Sequence, residues 1–108
     1  MDDITTLQAE ILKTLASPRR LDILHRLADG PCEVGRLAEE LGVAQPNVSQ
    51  HLAVLRQAGV VNTRKDGINV YYSLKSHKIS EACALTRQIL LERLQDHVSL
   101  SDLIQKSD

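Results

Sequence analysis

Short polar side chains cluster between residues 45 and 51, and their chemistry suits hydrogen bonding to nucleic-acid bases. Asn47, Ser49 and Gln50 carry amide and hydroxyl groups that can reach base edges in a DNA major groove. The opposite face of the same predicted helix is apolar at positions i, i+4 and i+7, occupied by Val48, Leu52 and Leu55. The spacing predicts a helix over about residues 46–58 that packs with one face and reads double-stranded DNA with the other.

A helix-turn-helix is expected to position this polar face. Gly42 follows the apolar helix end at Leu41 and suits the left-handed backbone that often ends a helix. Pro46 lies where the next helix would begin, and its missing N–H costs nothing there. The helix before the turn has its own apolar face of Val34, Leu37, Ala38 and Leu41. We therefore expect a helix-turn-helix over about residues 33–58.

A β-hairpin is predicted next, with basic residues near its tip. Residues 60–74 contain two stretches rich in β-branched and aromatic residues, joined by Asp66 and Gly67, a dipeptide typical of tight hairpin turns. Arg64 and Lys65 would lie close to the tip of this wing. There they can contact phosphate or enter a minor groove, or they can simply be solvated.

The charge of the chain is unevenly distributed. The formal net charge is −1, but residues 44–78 hold a balance of +4, which leaves −5 for the remainder. Arg56 belongs to this basic segment and is a further candidate for contact with backbone phosphate. The asymmetry suits a DNA-binding surface on an acidic body, although such swings also occur by chance in ordinary domains.

The first and last predicted helices carry apolar faces that neither the helix-turn-helix nor the wing requires. Residues 4–15 and 76–97 both show apolar side chains at helical spacing. Mutual packing or dimerisation would bury these faces, so we expect both helices to form a homodimer interface. A short additional helix is expected over residues 99–106, with an apolar face of Leu100, Leu103 and Ile104.

Composition and the order of the elements indicate the fold class. The 108 residues are expected to form a single domain, 1–108, of mainly α (α+β) class: a winged helix-turn-helix in the order ααααββα. Ser17 and Pro18 would begin the second of these helices as N-cap and first-turn proline. An aromatic content of 2% disfavours single-strand binding by base stacking. Without a nucleophile–base pair, carboxylate pair or Gly-rich phosphate loop, an enzyme is not expected.

The chain also carries information about its compartment. Two cysteines do not make a disulfide framework. No apolar run approaches the roughly 20 residues that a membrane span needs, and the first residues do not form a signal peptide. We therefore expect a protein of the reducing cytoplasm with no membrane partner.

Six motifs in this order closely resemble the ArsR/SmtB winged-helix repressors. They are LASPRRLDIL at 15–24, VGRLA at 34–38, QPNVSQHLAVL at 45–55, GVV at 59–61, RKDG at 64–67 and VYYSL at 70–74. The resemblance extends over about residues 12–94. It implies a homodimer that binds a partly palindromic DNA operator and releases it when an effector is sensed. It also implies that dimerisation uses the first and last helices.

By motif position, the resemblance assigns five DNA-binding candidates to the recognition helix: Gln45, Asn47, Ser49, Gln50 and His51. The helical geometry ranks them differently. Gln50 points away from the predicted core, with Asn47 and Ser49 beside it. His51 lies nearer the core edge, where it either bonds a phosphate or is a packing histidine.

The metal sites of the resembled family do not transfer to this chain. The family's third-helix site needs a key cysteine and an aspartate where this chain has Glu33 and Arg36. Its last-helix zinc site needs an Asp-x-His pair and a second His pair, but the later positions hold Ile89 and Glu92. No cofactor and no metal site are therefore expected, although a metal bound by unusual ligands stays open.

Cys32 and Cys83 are the candidate effector-sensing residues. Some members of the family sense sulfide or oxidants through one cysteine in the second helix and another late in the last. Here His25 occupies the first position and Cys83 lies about two turns early. A helix N-terminus would lower the pKa of Cys32, with Glu33 opposing that effect. A thiol signal is favoured over a metal, and a small molecule, a protein partner or no effector are the alternatives.

The runner-up functions are a winged-helix module for protein interaction and an effector-independent repressor. The basic segment and the polar recognition face argue against the first, which would favour an exposed apolar helix.

Overall fold

The computed structural model describes the backbone of residues 3–106 and the side chains of residues 3–97. These residues form five α-helices and three β-strands: α1 (Asp3–Leu15), α2 (Pro18–Leu27), β1 (Cys32–Glu33), α3 (Val34–Leu41), α4 (Gln45–Gln57), β2 (Val61–Asp66), β3 (Asn69–Leu74) and α5 (His77–Lys106). The predicted fold class, a mainly α winged helix-turn-helix, is confirmed.

Local signals explain where α2 begins. Ser17 has an extended backbone, and its hydroxyl accepts a hydrogen bond from the Arg20 backbone N–H at 3.4 Å. Pro18 then occupies the first turn, where no backbone N–H is needed. Both roles agree with the sequence prediction.

The turn between α3 and α4 depends on one glycine. Gly42 has a φ of 70°, the left-handed conformation, and caps the end of α3. The backbone N–H of Val43 then donates to the Ala38 carbonyl at 3.0 Å, which satisfies one of the last helical acceptors. The recognition helix α4 begins at Gln45, one residue before the predicted start, and ends at Gln57.

The sheet contains a strand that the sequence analysis did not predict. Besides the expected pairing of β2 with β3, the two-residue strand β1 pairs antiparallel with the other side of β3. Cys32 lies opposite Tyr72 and Glu33 opposite Tyr71. The order is therefore ααβααββα rather than ααααββα. The sequence did not predict β1 because two residues are too few to show the alternation of apolar and polar side chains typical of a strand.

The hairpin turn lies one residue later than predicted. Asp66 pairs with Asn69, so Gly67 and Ile68 are the two central residues of the turn. Gly67 has a φ of 65°, while no non-glycine residue among those described has a positive φ. Positive φ at the first central position alone is the pattern of a type II′ turn, which matches the twist of the flanking strands.

The core lies between α2, α3, α4 and the base of the wing. Its fully buried large side chains are Ile23, Leu24, Leu37, Leu52, Leu55, Val48 and Val61. From α5, Ile79 and Cys83 pack against this cluster. The helix-turn-helix is thus held rigidly against the rest of the domain.

The last helix differs from the prediction in length. Instead of ending near residue 97 with a separate short helix after it, α5 runs without a break from His77 to Lys106. At 1.5 Å per residue its 30 residues span about 45 Å. The predicted apolar side chains beyond residue 97, Leu100, Leu103 and Ile104, lie outside the described side chains.

Candidate nucleic-acid interface

The recognition helix α4 separates its two faces as the spacing predicted. Val48, Leu52 and Leu55 are completely buried. The polar residues of its first two turns are exposed, namely Gln45, Asn47, Ser49 and Gln50. Gln45 also leans toward α3, since a Cβ atom on Gly35 would lie 3.6 Å from its Oε1. The outer face of α4 is therefore available to a ligand that approaches from solvent.

His51 lies at the edge of this face and is half-buried. Its Nδ1 accepts a hydrogen bond from Arg20 Nε at 3.2 Å. Burial, followed by the positive charges of Arg20 and Arg19, lowers the pKa of His51 below its ordinary value of 6.5. The imidazole is therefore neutral around pH 7, with a lone pair on the nitrogen that faces Arg20.

Sequence reasoning missed Arg20, which belongs to α2 rather than to the helix-turn-helix. Its guanidinium also donates from Nη1 to the Thr14 carbonyl oxygen at 3.0 Å. The SPRR sequence marked a helix start, but no local pattern linked that start to a residue on α4.

The wing places its two candidate cations near the tip, as expected. Arg64 lies opposite Tyr71 and Lys65 opposite Val70. Both side chains are exposed. The hairpin therefore presents two positive charges to solvent on a two-stranded support.

Arg56 and Arg64 meet in one surface hollow between the end of α4 and the wing. Lys75 also lines this hollow, and its remaining lining residues are uncharged: Gly59, Val61, Asn62, Thr63 and Ser73. Within the described part of the chain, none of the three cations forms an ion pair. Lys75 belongs to the basic segment 44–78, but only the tertiary structure places it beside Arg56 and Arg64. An unneutralised group of cations beside α4 suits a polyanion.

The two cysteines are free thiols that pack in or against the hydrophobic core, and the Cys32 thiol donates to the Glu33 carbonyl oxygen at 3.5 Å. Cys32, on β1, is 2% exposed, and Cys83, on α5, is half-buried. Burial raises the pKa of both thiols, and for Cys32 it outweighs the lowering effect of Arg26. The expected lowering of the Cys32 pKa by a helix N-terminus is therefore wrong, since desolvation disfavours the thiolate.

Glu40 joins the helices that flank Cys32. Its carboxylate accepts hydrogen bonds from Arg26 of α2 and from Arg36 of α3, the latter at 3.0 Å. These two hydrogen bonds lower the pKa of Glu40 below its ordinary value. Arg36, which replaces the family's metal-site aspartate, thus has a structural partner.

Among the described side chains, no group of three or more His, Cys, Asp or Glu residues is arranged to hold a metal ion. Within residues 3–106, no helix is both long and apolar enough to cross a membrane.

Comparison with known proteins supports a regulatory role. The profile described as "Bacterial regulatory protein, arsR family" matches residues 17–63. The HTH-type transcriptional regulator Rv0081 of Mycobacterium tuberculosis is 43% identical over 99 residues, covering 90% of this chain and 87% of the relative. A biofilm growth-associated repressor of Agrobacterium fabrum is 44% identical over 78 residues, covering 72% of this chain and 67% of the repressor.

Solved structures agree with this result. The crystal structure of Rv0081 superposes with a TM-score of 0.81 at 40% identity, covering 91% of this chain and 99% of that one. The homodimeric winged helix-turn-helix DNA-binding domain of Mb0332 from Mycobacterium bovis has a TM-score of 0.78 at 29% identity, covering 88% and 92%. These relatives are named as regulators, which confirms the expectation of a non-enzymatic protein. The profile match and the extent of the sequence identity show that the chain belongs to the arsR family of bacterial regulatory proteins.

Proposed function

We propose that this protein is a homodimeric transcriptional repressor that binds a double-stranded DNA operator with partial two-fold symmetry. One observation carries the proposal: α4 is anchored by three completely buried residues and exposes short polar side chains on its outer face. A buried anchor with a polar outer face is what insertion into a major groove requires. As a regulator of a bacterial chromosome, the protein would act in the cytoplasm.

The proposed contacts divide into two classes. Asn47, Ser49 and Gln50 read base edges, because their amide and hydroxyl groups combine donors and acceptors. The remaining candidates position the protein on the phosphate backbone: Gln45, His51, Arg56, Arg64 and Lys65. Within the described part of the chain, the cations around Arg56 form no ion pair. Their positive charge is therefore available to attract phosphate.

The dimer would be formed by α1 and α5. No residue of α1 is buried, and Ile4 is 74% exposed. On α5, Leu90 and Leu94 are about half exposed and lie one turn apart. Apolar faces of this length on two helices mark an interaction surface. The homodimeric relative from Mycobacterium bovis supports a second copy as the occupant.

Selection of DNA from a random-sequence duplex library tests the proposal. The protein should enrich a partly palindromic sequence with half-sites about one helical turn apart. A footprint on that duplex should show two protected segments, and log affinity should fall steeply as log salt rises. If the selection enriches no duplex sequence, the proposal is overturned. The fold would then be better explained as a module for protein interaction.

We propose that the effector signal is oxidation of a thiol, at Cys32 or Cys83, rather than binding of a metal ion. We also propose that the protein holds no resident cofactor. The raised pKa values mean that both thiols react slowly unless a structural change exposes them. Binding of the selected duplex by reduced, peroxide-treated and zinc-treated protein should differ only for the peroxide-treated sample. Cys32→Ser and Cys83→Ser variants identify the responsible sulfur. Equal binding in all three states would exclude thiol sensing and favour an effector-independent repressor.

A further inference from the structure

A contact between Arg20 and His51 connects three helices at the edge of the recognition face. Arg20, in the first turn of α2, donates from Nε to His51 Nδ1 at 3.2 Å. Its Nη1 donates to the carbonyl oxygen of Thr14, in the last turn of α1, at 3.0 Å. Because both N–H groups belong to one planar guanidinium, His51 on α4 is held in a fixed relation to the end of α1.

This contact determines which nitrogen of His51 carries the proton. A guanidinium only donates hydrogen bonds and never accepts them, so Nδ1 must present a lone pair to Arg20. In a neutral imidazole the single ring proton then lies on Nε2. The Nε2–H is a donor on the side of the ring away from Arg20.

We propose that Arg20 is a positioning residue for DNA binding, which holds His51 in the Nε2–H tautomer so that this N–H donates to a backbone phosphate. The inference rests on the function proposed above. His51 directly follows Gln50 on the recognition helix and is half-buried, so its ring is placed at the rim of the reading face. Donors to phosphate fix the register of such a helix on the duplex.

Removal of Arg20 has a specific chemical consequence. Without the guanidinium, neutral His51 can carry its proton on either nitrogen. A molecule with the proton on Nδ1 would present the Nε2 lone pair to a phosphate oxygen, and two acceptors repel each other. DNA affinity would therefore fall even though the histidine itself is unchanged.

Nitrogen NMR of the His51 imidazole in the DNA-free protein tests the tautomer. The resonances are assigned by their loss in His51→Gln. At about pH 8.5, two units above the ordinary histidine pKa, His51 is neutral with or without the Arg20 charge. There the wild type should show a single Nε2–H tautomer, while Arg20→Ala should show a mixture of tautomers. A purely structural role of Arg20 would leave the nitrogen shifts unchanged. The same tautomer in both proteins, or a proton on Nδ1 in the wild type, would overturn the inference.

DNA binding tests the consequence, with a duplex that the wild type selects from a random library as the probe. His51→Gln keeps an amide N–H near the Nε2 position and should retain most of the affinity. His51→Asn lacks a donor there in both protomers and should lose about a hundredfold in affinity for the dimer, about tenfold for each hydrogen bond to a charged group. Arg20→Ala should lose about fourfold alone, because an equal mixture halves the binding-competent tautomer in each of the two protomers. It should lose little in the His51→Gln background, since a glutamine amide has no tautomer to fix.

The outcomes separate the two proposals. If the wild type selects no duplex, the proposed function fails and this inference fails with it. If the wild type binds but Arg20→Ala and His51→Asn bind equally well, only the inference is overturned. Because lysine also only donates hydrogen bonds, Arg20→Lys would assign Arg20 a direct charge contact only if it kept full affinity while His51 showed a mixture of tautomers. Altered sequence preference in His51→Asn would make His51 a base reader. Should Arg20→Ala not fold, the Arg20→Lys and His51→Asn variants decide.

Discussion

At the scale of single residues, the proposed interface separates base readers from phosphate contacts, and two substitutions distinguish them. Gln50→Ala should relax the base preference at one position of each operator half-site, because an amide that bonds to a base edge is lost. Arg64→Ala should weaken binding to all sequences alike. With one wing per protomer, it should reduce the slope of log affinity against log salt by about two units per dimer. Titrations of selected and base-substituted duplexes at several salt concentrations measure both effects.

Gln88→Ala, on the exposed surface of α5, is the matched control for both substitutions. It removes a glutamine side chain far along the chain from α4 and the wing and should leave affinity and salt slope unchanged. An unchanged sequence preference in Gln50→Ala would remove Gln50 from the proposed base readers.

The environment of His51 predicts a pH dependence of stability. Burial and the charges of Arg20 and Arg19 lower the pKa of His51 from 6.5 in the folded protein. As pH falls through 6.5, the unfolded chain takes up a proton at this position that the folded chain does not bind, so the free energy of unfolding decreases. The loss is complete below the folded pKa. Urea denaturation at fixed protein concentration should show this slope in the wild type.

His51→Gln provides the control for this titration, because glutamine has no ionisable group. Its free energy of unfolding should vary less with pH below 6.5 than that of the wild type. If the free energy of unfolding depended on pH identically in the two proteins, folding would not lower the pKa of His51. The other histidines are present in both proteins, so their contributions cancel in the comparison.

At the scale of elements, the helix-turn-helix angle depends on Gly42. A Cβ atom at this position would meet no other atom within 4 Å, but the φ of 70° is strained for any residue with a side chain. Gly42→Ala should therefore lower the free energy of unfolding by about 1 kcal/mol, a cost of backbone conformation alone. Chemical denaturation measures it.

Gly35→Ala in the first turn of α3 is the matched control. Its φ is not positive, and the added Cβ would meet Gln45 Oε1 at an ordinary 3.6 Å. This substitution should stabilise the protein by up to about 0.5 kcal/mol, because alanine loses less backbone entropy in a helix. If both substitutions destabilise equally, the left-handed conformation at Gly42 is not what the turn requires.

Prediction from sequence succeeded for elements with a long periodic pattern of apolar residues. It failed for the two-residue strand β1 and for the length of α5. The buried faces of α3 and α4 follow helical spacing, and Gly42 and Pro46 mark the turn between them. The strand β1 has only two residues, and it exists because β3 offers a free edge to Cys32 and Glu33. The sequence predicted two helices where α5 continues to Lys106. No proline or glycine near residue 97 separates the two stretches, so the sequence pattern did not locate the end of the helix.

At the scale of the whole molecule, the exposed apolar stripe on α5 predicts a dimer that a single charge can weaken. Leu90 is 50% exposed and lies beyond the part of α5 that packs on the core. Leu90→Glu would place a carboxylate in the apolar interface, where its desolvation is unfavourable. The variant should sediment increasingly as a monomer on dilution and should lose cooperative binding to a two-half-site duplex.

Gln88→Glu adds the same charge two residues away, on nearly the opposite side of the helix. It should sediment as the wild type does. A Leu90→Glu protein that stays as dimeric as the wild type would show that α5 does not form the interface at this position.

The sequence by itself determined the helix-turn-helix, the polar reading face, the wing and the family, because each depends on residues that are close along the chain. Tertiary structure decided which distant groups meet. It brought Arg20 to His51, 31 residues away, gathered Arg56, Arg64 and Lys75 around one hollow, and buried Cys32 while leaving Cys83 half-buried. Such contacts arise when separate elements pack against a common core, and packing between elements has no period along the chain that a sequence pattern can reveal.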